Sequence, residues 1–162
     1  LDQEMTKAYE FEPGEQVVVY ADGSSRDNGK PHARGGWGFV ILDKSETWKR
    51  FENWGAEHGA TNNQMELRAA IEALEALPKG THIHMKLDSK YVMDGATTWI
   101  KGWVRNGWKT ASKQPVKNEY LWRRLMDAME GKKFMWTWVK GHADNQWNEY
   151  VDSLCTAASA KI

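Results

Sequence analysis

The chain has 162 residues, 41% hydrophobic and 27% charged, which fits one domain and excludes a disordered or collagen-like chain. Its 22 basic and 22 acidic side chains cancel, which argues against a globally basic nucleic-acid binder. The single cysteine, Cys155, cannot crosslink the chain internally, and no Cys/His cluster suggests zinc. Apolar runs are only a few residues long, so neither a transmembrane helix nor a membrane partner is expected. Leu1-Asp2-Gln3-Glu4 lacks the basic-then-apolar order of a secretory signal, and a cytoplasmic protein is expected.

Residues 1–15 carry five acidic side chains and Pro13-Gly14, which predicts a flexible acidic tail ahead of a single domain over 16–162. Gln16–Ala21 is a β-branched run that reads as a buried strand, ending at the turn signal Asp22-Gly23-Ser24. Residues 25–36 read as a polar loop. Gly38–Leu42 and Thr47–Trp54 read as a hairpin joined at Asp43–Glu46. Thr61-Asn62-Asn63 offers helix caps, and Leu67, Ala70, Ile71, Leu74 and Leu77 keep helical spacing up to Pro78-Lys79-Gly80.

Ile83–Leu87 is a short strand ending at Asp88-Ser89. Lys90–Asp94 and Thr97–Arg105 read as helices broken at Gly95, followed by a basic loop over 107–117. Asn118 is expected to cap a helix to Met129. Phe134–Val139 reads as a strand, and Gln146–Ala160 as the last helix. An antiparallel meander followed by helix-separated strands predicts a mixed sheet with helices on its faces.

Zero net charge hides an asymmetry. Residues 99–124 hold seven basic side chains against Glu119 alone, together with Trp99, Trp103, Trp108 and Trp122. Such a stretch can neutralise phosphates and stack on sugars or bases; it can equally be a solvated face with tryptophan anchors in the core.

Asp22 and Asp88 fall at the carboxyl ends of two strands, where open α/β sheets build their sites. An acidic turn residue is common, so neither alone points to chemistry. Glu66 shares a helical stripe with Ala70, Ala73 and Leu77, and a carboxylate on a packing face is costly unless paired or cation-bound. The alternative is a glutamate favouring the helix macrodipole. Asp152 lies at the edge of the last helix's apolar stripe, where a surface carboxylate is the default reading, and His142, in the polar loop before it, is either an ordinary surface or core histidine or one that could shuttle a proton. Together these suggest carboxylates converging without soft ligands, a donor set for Mg²⁺ or Mn²⁺ and for two-ion phosphodiester cleavage.

The chain resembles type 1 ribonucleases H of the bacterial ribonuclease HI kind, from Val17 to Ala160. The resemblance rests on Y-A-D-G-S at Tyr20–Ser24, T-N-N-Q-M-E-L at Thr61–Leu67 and L-D-S-K-Y-V at Leu87–Val92. It continues through W-I-K-G-W-V-R-N-G-W-K-T at Trp99–Thr110, P-V-K-N at Pro115–Asn118, W-V-K-G-H-A at Trp138–Ala143 and the N-E-x-x-D of Asn148–Asp152. It implies an α/β ribonuclease H-like fold, a mixed five-stranded sheet in the order 3-2-1-4-5 with flanking helices and a basic handle. The implied reaction is endonucleolytic hydrolysis of the RNA strand of RNA/DNA hybrids by two Mg²⁺ ions (Mn²⁺ as substitute), leaving 5′-phosphate and 3′-hydroxyl ends, in a monomer.

By the same resemblance Asp22, Glu66, Asp88 and Asp152 are the metal-binding carboxylates, with His142 as the mobile histidine. The handle with Trp99, Lys101, Trp103, Arg105 and Lys109 holds the DNA strand, and Lys90 stands beside the second aspartate. Asn28, Asn62 and Asn63 read the minor groove, where 2′-hydroxyls mark RNA. Thr61 belongs to a phosphate pocket. There are departures: the 26–36 loop is longer than usual and adds Lys30, His32 and Arg34, and Gly102 stands where many members carry a phosphate-binding Asn.

Overall fold

A computed structural model describes residues 11–139 and 145–162. Strands β1 (Gln16–Arg26), β2 (Arg34–Asp43) and β3 (Arg50–His58) precede helix α1 (Asn62–Glu75). Strand β4 (His82–Leu87) leads into α2 (Lys90–Asp94), a π-helical turn at Gly95–Trp99 and α3 (Ile100–Arg105). Helix α4 (Glu119–Met129), strand β5 (Lys133–Trp138) and helix α5 (Gln146–Ser159) complete the order.

The five strands form one sheet in the order β3-β2-β1-β4-β5, antiparallel across β3-β2-β1 and parallel across β1-β4-β5. β1 is central, and Val17 to Ala21 are buried on both of its faces. The main core lies under α1 and α4, with Leu67, Ile71, Leu74 and Leu125 at its heart. On the other face α5 brings Val151 onto Val18, Tyr20, Val40 and Leu42. This two-sided cover explains why β1 reads as a continuous apolar run and not as an alternating one.

Several boundaries differ from the expectations, each for a tertiary reason. β1 does not stop at Ala21; Asp22 pairs with Gly38 and Gly23 with Trp37, so ladder bonds to β2 override the local turn chemistry. β3 begins at Arg50 and not at Thr47, because the Asp43 carboxylate accepts from the amides of Thr47, Trp48 and Lys49 at 2.8–3.1 Å and curls that segment into a loop. Gly95 breaks nothing: its backbone is right-handed helical, and a Cβ there would sit 2.0 Å from Trp122. Its glycine serves close packing on a fully buried Trp122.

Asn118 does not cap α4 through its side chain. Its φ is +62°, and its amide bridges Gln64 Nε2 and the Tyr91 hydroxyl, both at 3.2 Å. Of the expected tail, residues 11–15 are packed onto the domain. Phe11 is buried in the main core, Gly14 N donates to Gly80 O at 3.0 Å, and Glu15 pairs with Lys49 at 3.0 Å.

Candidate active site

Asp22 projects from the middle of the central strand, next to the glycine that lets α1 approach. A Cβ on Gly23 would fall 2.2 Å from the Met65 carbonyl carbon, so strand and helix backbones are nearly in contact. That approach places Glu66, the residue after Met65, beside Asp22. Thr61 fixes the start of α1 by a reciprocal capping box with Gln64 (3.2 and 2.9 Å). Asp88 follows the end of β4, which lies parallel to β1. Asp152 comes from α5, packed on the opposite face from α1.

These elements bring one oxygen each of Asp22, Glu66 and Asp88 within 4.8 Å of one another. Asp152 joins through Asp22: their oxygens and the Cys155 Sγ form a second such group. A cleft of about 430 Å³ opens over all four carboxylates and is also lined by Asn62, Asn63, Ser89, Lys90 and Tyr91.

Asp22 is 4% exposed. Burial, and then the charges of Asp88 and Glu66, push its carboxyl up to about 10. Burial and Asp88 likewise push Glu66 to about 7, against hydrogen bonds from Ser89, Asp22 and the Gly23 amide that favour its charged form. Like charges this close cannot all stay ionised in a poorly solvated cleft. Their donor chemistry is all oxygen apart from the thiol, so the cluster fits a hard divalent cation, which would hold the carboxylates ionised.

The side-chain amides of Asn28 and Asn62 are oriented by backbone groups. Asn62 Oδ1 accepts from Ser25 N at 2.6 Å, and Asn28 Oδ1 accepts from Asn62 N at 2.7 Å. With both oxygens occupied, the two NH₂ groups remain as donors. Lys90 stacks its ammonium 4.2 Å from the centre of the Trp138 ring, at the cleft's rim.

The tryptophans of the basic stretch divide between core and surface. Trp108 and Trp122 are core residues, whereas Trp99 stays 38% exposed and packs with half-buried Trp103 at 6.0 Å. Lys101, Arg105 and Lys109 are exposed and do not line the carboxylate cleft. Arg124 is not part of a free basic face: it grips Glu72 and Glu75 of α1 at 2.9 and 2.6 Å. Arg123 pairs with Glu119 at 2.7 Å and lies over Trp108. His142 lies outside the described residues.

Three residues in or behind the cleft carry roles that the sequence did not reveal. Ser89 caps α2 by accepting from Val92 N at 3.2 Å and also reaches Glu66; the capping signal was visible, the second role was not. Ser24 and the fully buried Cys155 lie behind Asp22, with Oγ and Sγ 3.6 Å apart. Burial and the Asp22 charge push the Cys155 thiol up to about 12, so it stays protonated and inert.

Comparison with known proteins agrees with this geometry. A family model described as RNase H matches residues 14–160. A ribonuclease H of Parvibaculum lavamentivorans is 47% identical over 148 residues, covering 91% of this chain and 95% of the relative. A ribonuclease HI of Pseudomonas aeruginosa is 45% identical over 148 residues, covering 91% and 96%. Among solved structures, LC9-RNase H1, described as a type 1 RNase H with the type 2 active-site motif, superposes with a TM-score of 0.81 at 33% identity, covering 93% of this chain and 75% of that one.

Proposed function

Because the chain belongs to the ribonuclease H family, nucleases that cut the RNA strand of RNA/DNA hybrids endonucleolytically, we propose that Asp22, Glu66, Asp88 and Asp152 carry this reaction here with two divalent cations, Mg²⁺ before Mn²⁺. The carrying observation is the convergence of Asp22, Glu66 and Asp88 oxygens within 4.8 Å, with Asp152 adjoining. When bound, the cations supply Lewis-acid stabilisation of charge on the attacking and leaving oxygens, for products ending in 5′-phosphate and 3′-hydroxyl.

The chain's own groups do the rest. Asp22, at the centre, contacts both carboxylate groupings and sets their spacing. Ser89 and the Gly23 amide orient Glu66. The NH₂ groups of Asn28 and Asn62, with Asn63 beside them, donate to 2′-hydroxyl and base acceptors in the minor groove, which favours RNA on the cut strand. Trp99 and Trp103 give deoxyribose an apolar wall, and Lys101, Arg105 and Lys109 neutralise DNA phosphates. Lys90 and the Thr61 hydroxyl contribute further phosphate contacts. His142 takes the part of a proton shuttle at the leaving group. We take the working unit to be a cytoplasmic monomer.

A cleavage assay on labelled RNA/DNA hybrid, duplex DNA and duplex RNA, with and without Mg²⁺, tests this reading. Only the hybrid is cut, and only with metal. Asp22→Asn lowers turnover on the order of 10²–10³-fold, as removal of one group stabilising transition-state charge does in other enzymes. Wild-type turnover in that variant, or equal cutting of duplex DNA, contradicts the assignment.

A further inference from the structure

The catalytic carboxylates do not use the turn that joins β1 to β2. It leaves the cleft directly: four residues past Asp22 the chain reaches Arg26, and residues 26–32 are all exposed. Two chained turns hold it, with Lys30 N donating to Asp27 O and Ala33 N to Lys30 O, both at 3.0 Å. Gly59 N closes on Ala33 O at 2.7 Å. The turn is also fastened to the start of α1, through Ser25 N to Asn62 Oδ1 and Asn62 N to Asn28 Oδ1. Its position relative to the cleft is therefore set before any ligand arrives, which lowers the ordering cost of binding.

Residues 26–34 carry three basic side chains and one acidic one. Arg34 turns to Ile162 O at 3.3 Å, and Asp27 faces His32 at 3.6 Å. Arg26 and Lys30 have no carboxylate partner among the described residues. An unpaired, exposed cation pair on a braced turn beside an anion-cutting cleft is matched to phosphate. The sheet order fixes the side: the turn leaves toward β2, whereas Asp88 and α2, which opens the helical run leading to Trp99–Arg105, follow β4 on the other side of β1. The cleft is thus flanked by cations on both sides, and only one flank is the tryptophan-lined one.

We propose that Arg26 and Lys30 form a second phosphate grip that holds the RNA strand where it leaves the carboxylate cleft, opposite the Trp99–Arg105 flank. The proposal rests on the hybrid-cleaving reading above. The minor-groove amides Asn28 and Asn62 belong to the same braced unit, so the strand they read is the strand whose phosphates pass Arg26 and Lys30. The grip extends the bound length of substrate and adds nothing at the scissile bond.

The experiment compares Arg26→Gln/Lys30→Gln with the parent, both carrying Asp22→Asn to prevent cutting, on a short RNA/DNA hybrid across a salt series. Both side chains are exposed, so thermal unfolding should match the parent, and it is measured alongside. The expected result is weaker binding and a log Kd against log salt slope shallower by about 2, since each phosphate no longer neutralised removes about 0.9. Hybrids with the RNA strand shortened from either end over a constant DNA strand, and a converse set with the DNA strand shortened over a constant RNA strand, then identify the strand. Shortening the RNA strand past the grip should weaken the parent several-fold and leave the double variant unaffected. An unchanged slope, or coupling to shortening of the DNA strand instead, overturns the proposal. A parent that does not prefer hybrid to duplex DNA is a separate failure, that of the hybrid reading itself.

Discussion

Gly23 and Met65 touch backbone to backbone: a Cβ on Gly23 would lie 2.2 Å from the Met65 carbonyl carbon and 2.5 Å from Glu66 N. The residues on either side of this approach, Asp22 and Glu66, are the carboxylates it brings together. Packing and chemistry therefore depend on one hydrogen atom's worth of space. Gly23→Ala must push α1 off β1, because the obstructing atoms are backbone and cannot rotate away. The expected cost is about 1–3 kcal/mol of stability from overpacking, with cleavage reduced by well over tenfold. Denaturant unfolding and hybrid turnover, measured together, check both; an alanine variant with full turnover would show that the approach is dispensable.

Asp22→Asn should separate stability from function. A carboxyl whose folded pKa is raised retains its proton after the unfolded chain has released its own, near pH 4. From there up to about 7 for Glu66 and about 10 for Asp22, the unfolded state binds fewer protons, so metal-free stability falls as pH rises. Replacing Asp22 with a neutral isostere removes the largest of these penalties. We expect the variant to be more stable than the parent at pH 8 without metal, by ~1–3 kcal/mol, hence to melt at higher temperature, and the difference to vanish near pH 4. Melting curves at the two pH values decide it; a variant destabilised at pH 8 would show that Asp22 is held by a partner that favours its charge.

The same titrations govern metal loading. Below about pH 7 a cation must displace the proton on Glu66, and at any neutral pH it must also displace the one on Asp22. The Mg²⁺ concentration for half-maximal binding should fall as pH rises from 6 to 8, with protons released on binding. Calorimetry in two buffers of different ionisation enthalpy measures that release. Proton uptake, or an affinity indifferent to pH, contradicts the coupling. By the same linkage Mg²⁺ should raise the melting temperature more at pH 8 than at pH 5.

How much of this was legible in the sequence depended on the range of the interaction. Helix α1 was readable because its cap, Thr61, and its apolar stripe are local. Glu66 stood out because it sits on that stripe, and burial has raised its pKa accordingly. The carboxyl end of β1 was not readable: Asp22-Gly23-Ser24 is turn chemistry until Gly38 and Trp37 of β2 pair with it. Gly95 looked like a break because its reason, the face of Trp122, lies 27 positions away. The basic character of 99–124 overstated the free charge, since Glu72 and Glu75, which claim Arg124, lie on another helix. Ser89, in the cleft, and Cys155, behind it, had no sequence signal for their places at the site because each satisfies an ordinary structural role. The carboxylate quartet itself emerged less from any single position than from the motif resemblance.

Gly102 allows a test in the direction of gain. It lies on α3 between Lys101 and Trp103, and a Cβ there would meet nothing within 4 Å. Gly102→Asn therefore introduces no clash, and asparagine is the better helix former by ~0.3 kcal/mol. The Thr61 hydroxyl accepts from Gln64 N but keeps its own proton to donate. An amide at position 102 adds a second donor on the handle for the same class of ligand, a backbone phosphate. One hydrogen bond to a charged oxygen is worth ~1.5 kcal/mol, or roughly tenfold. We expect KM for the hybrid to fall by about that factor with kcat unchanged, because the bond forms equally in ground and transition states. Steady-state kinetics on a hybrid of fixed length reads this out. If KM does not move while melting shows the variant folded, position 102 lies off the path of the phosphates, and Lys101, Arg105 and Lys109 supply the grip on that flank without it.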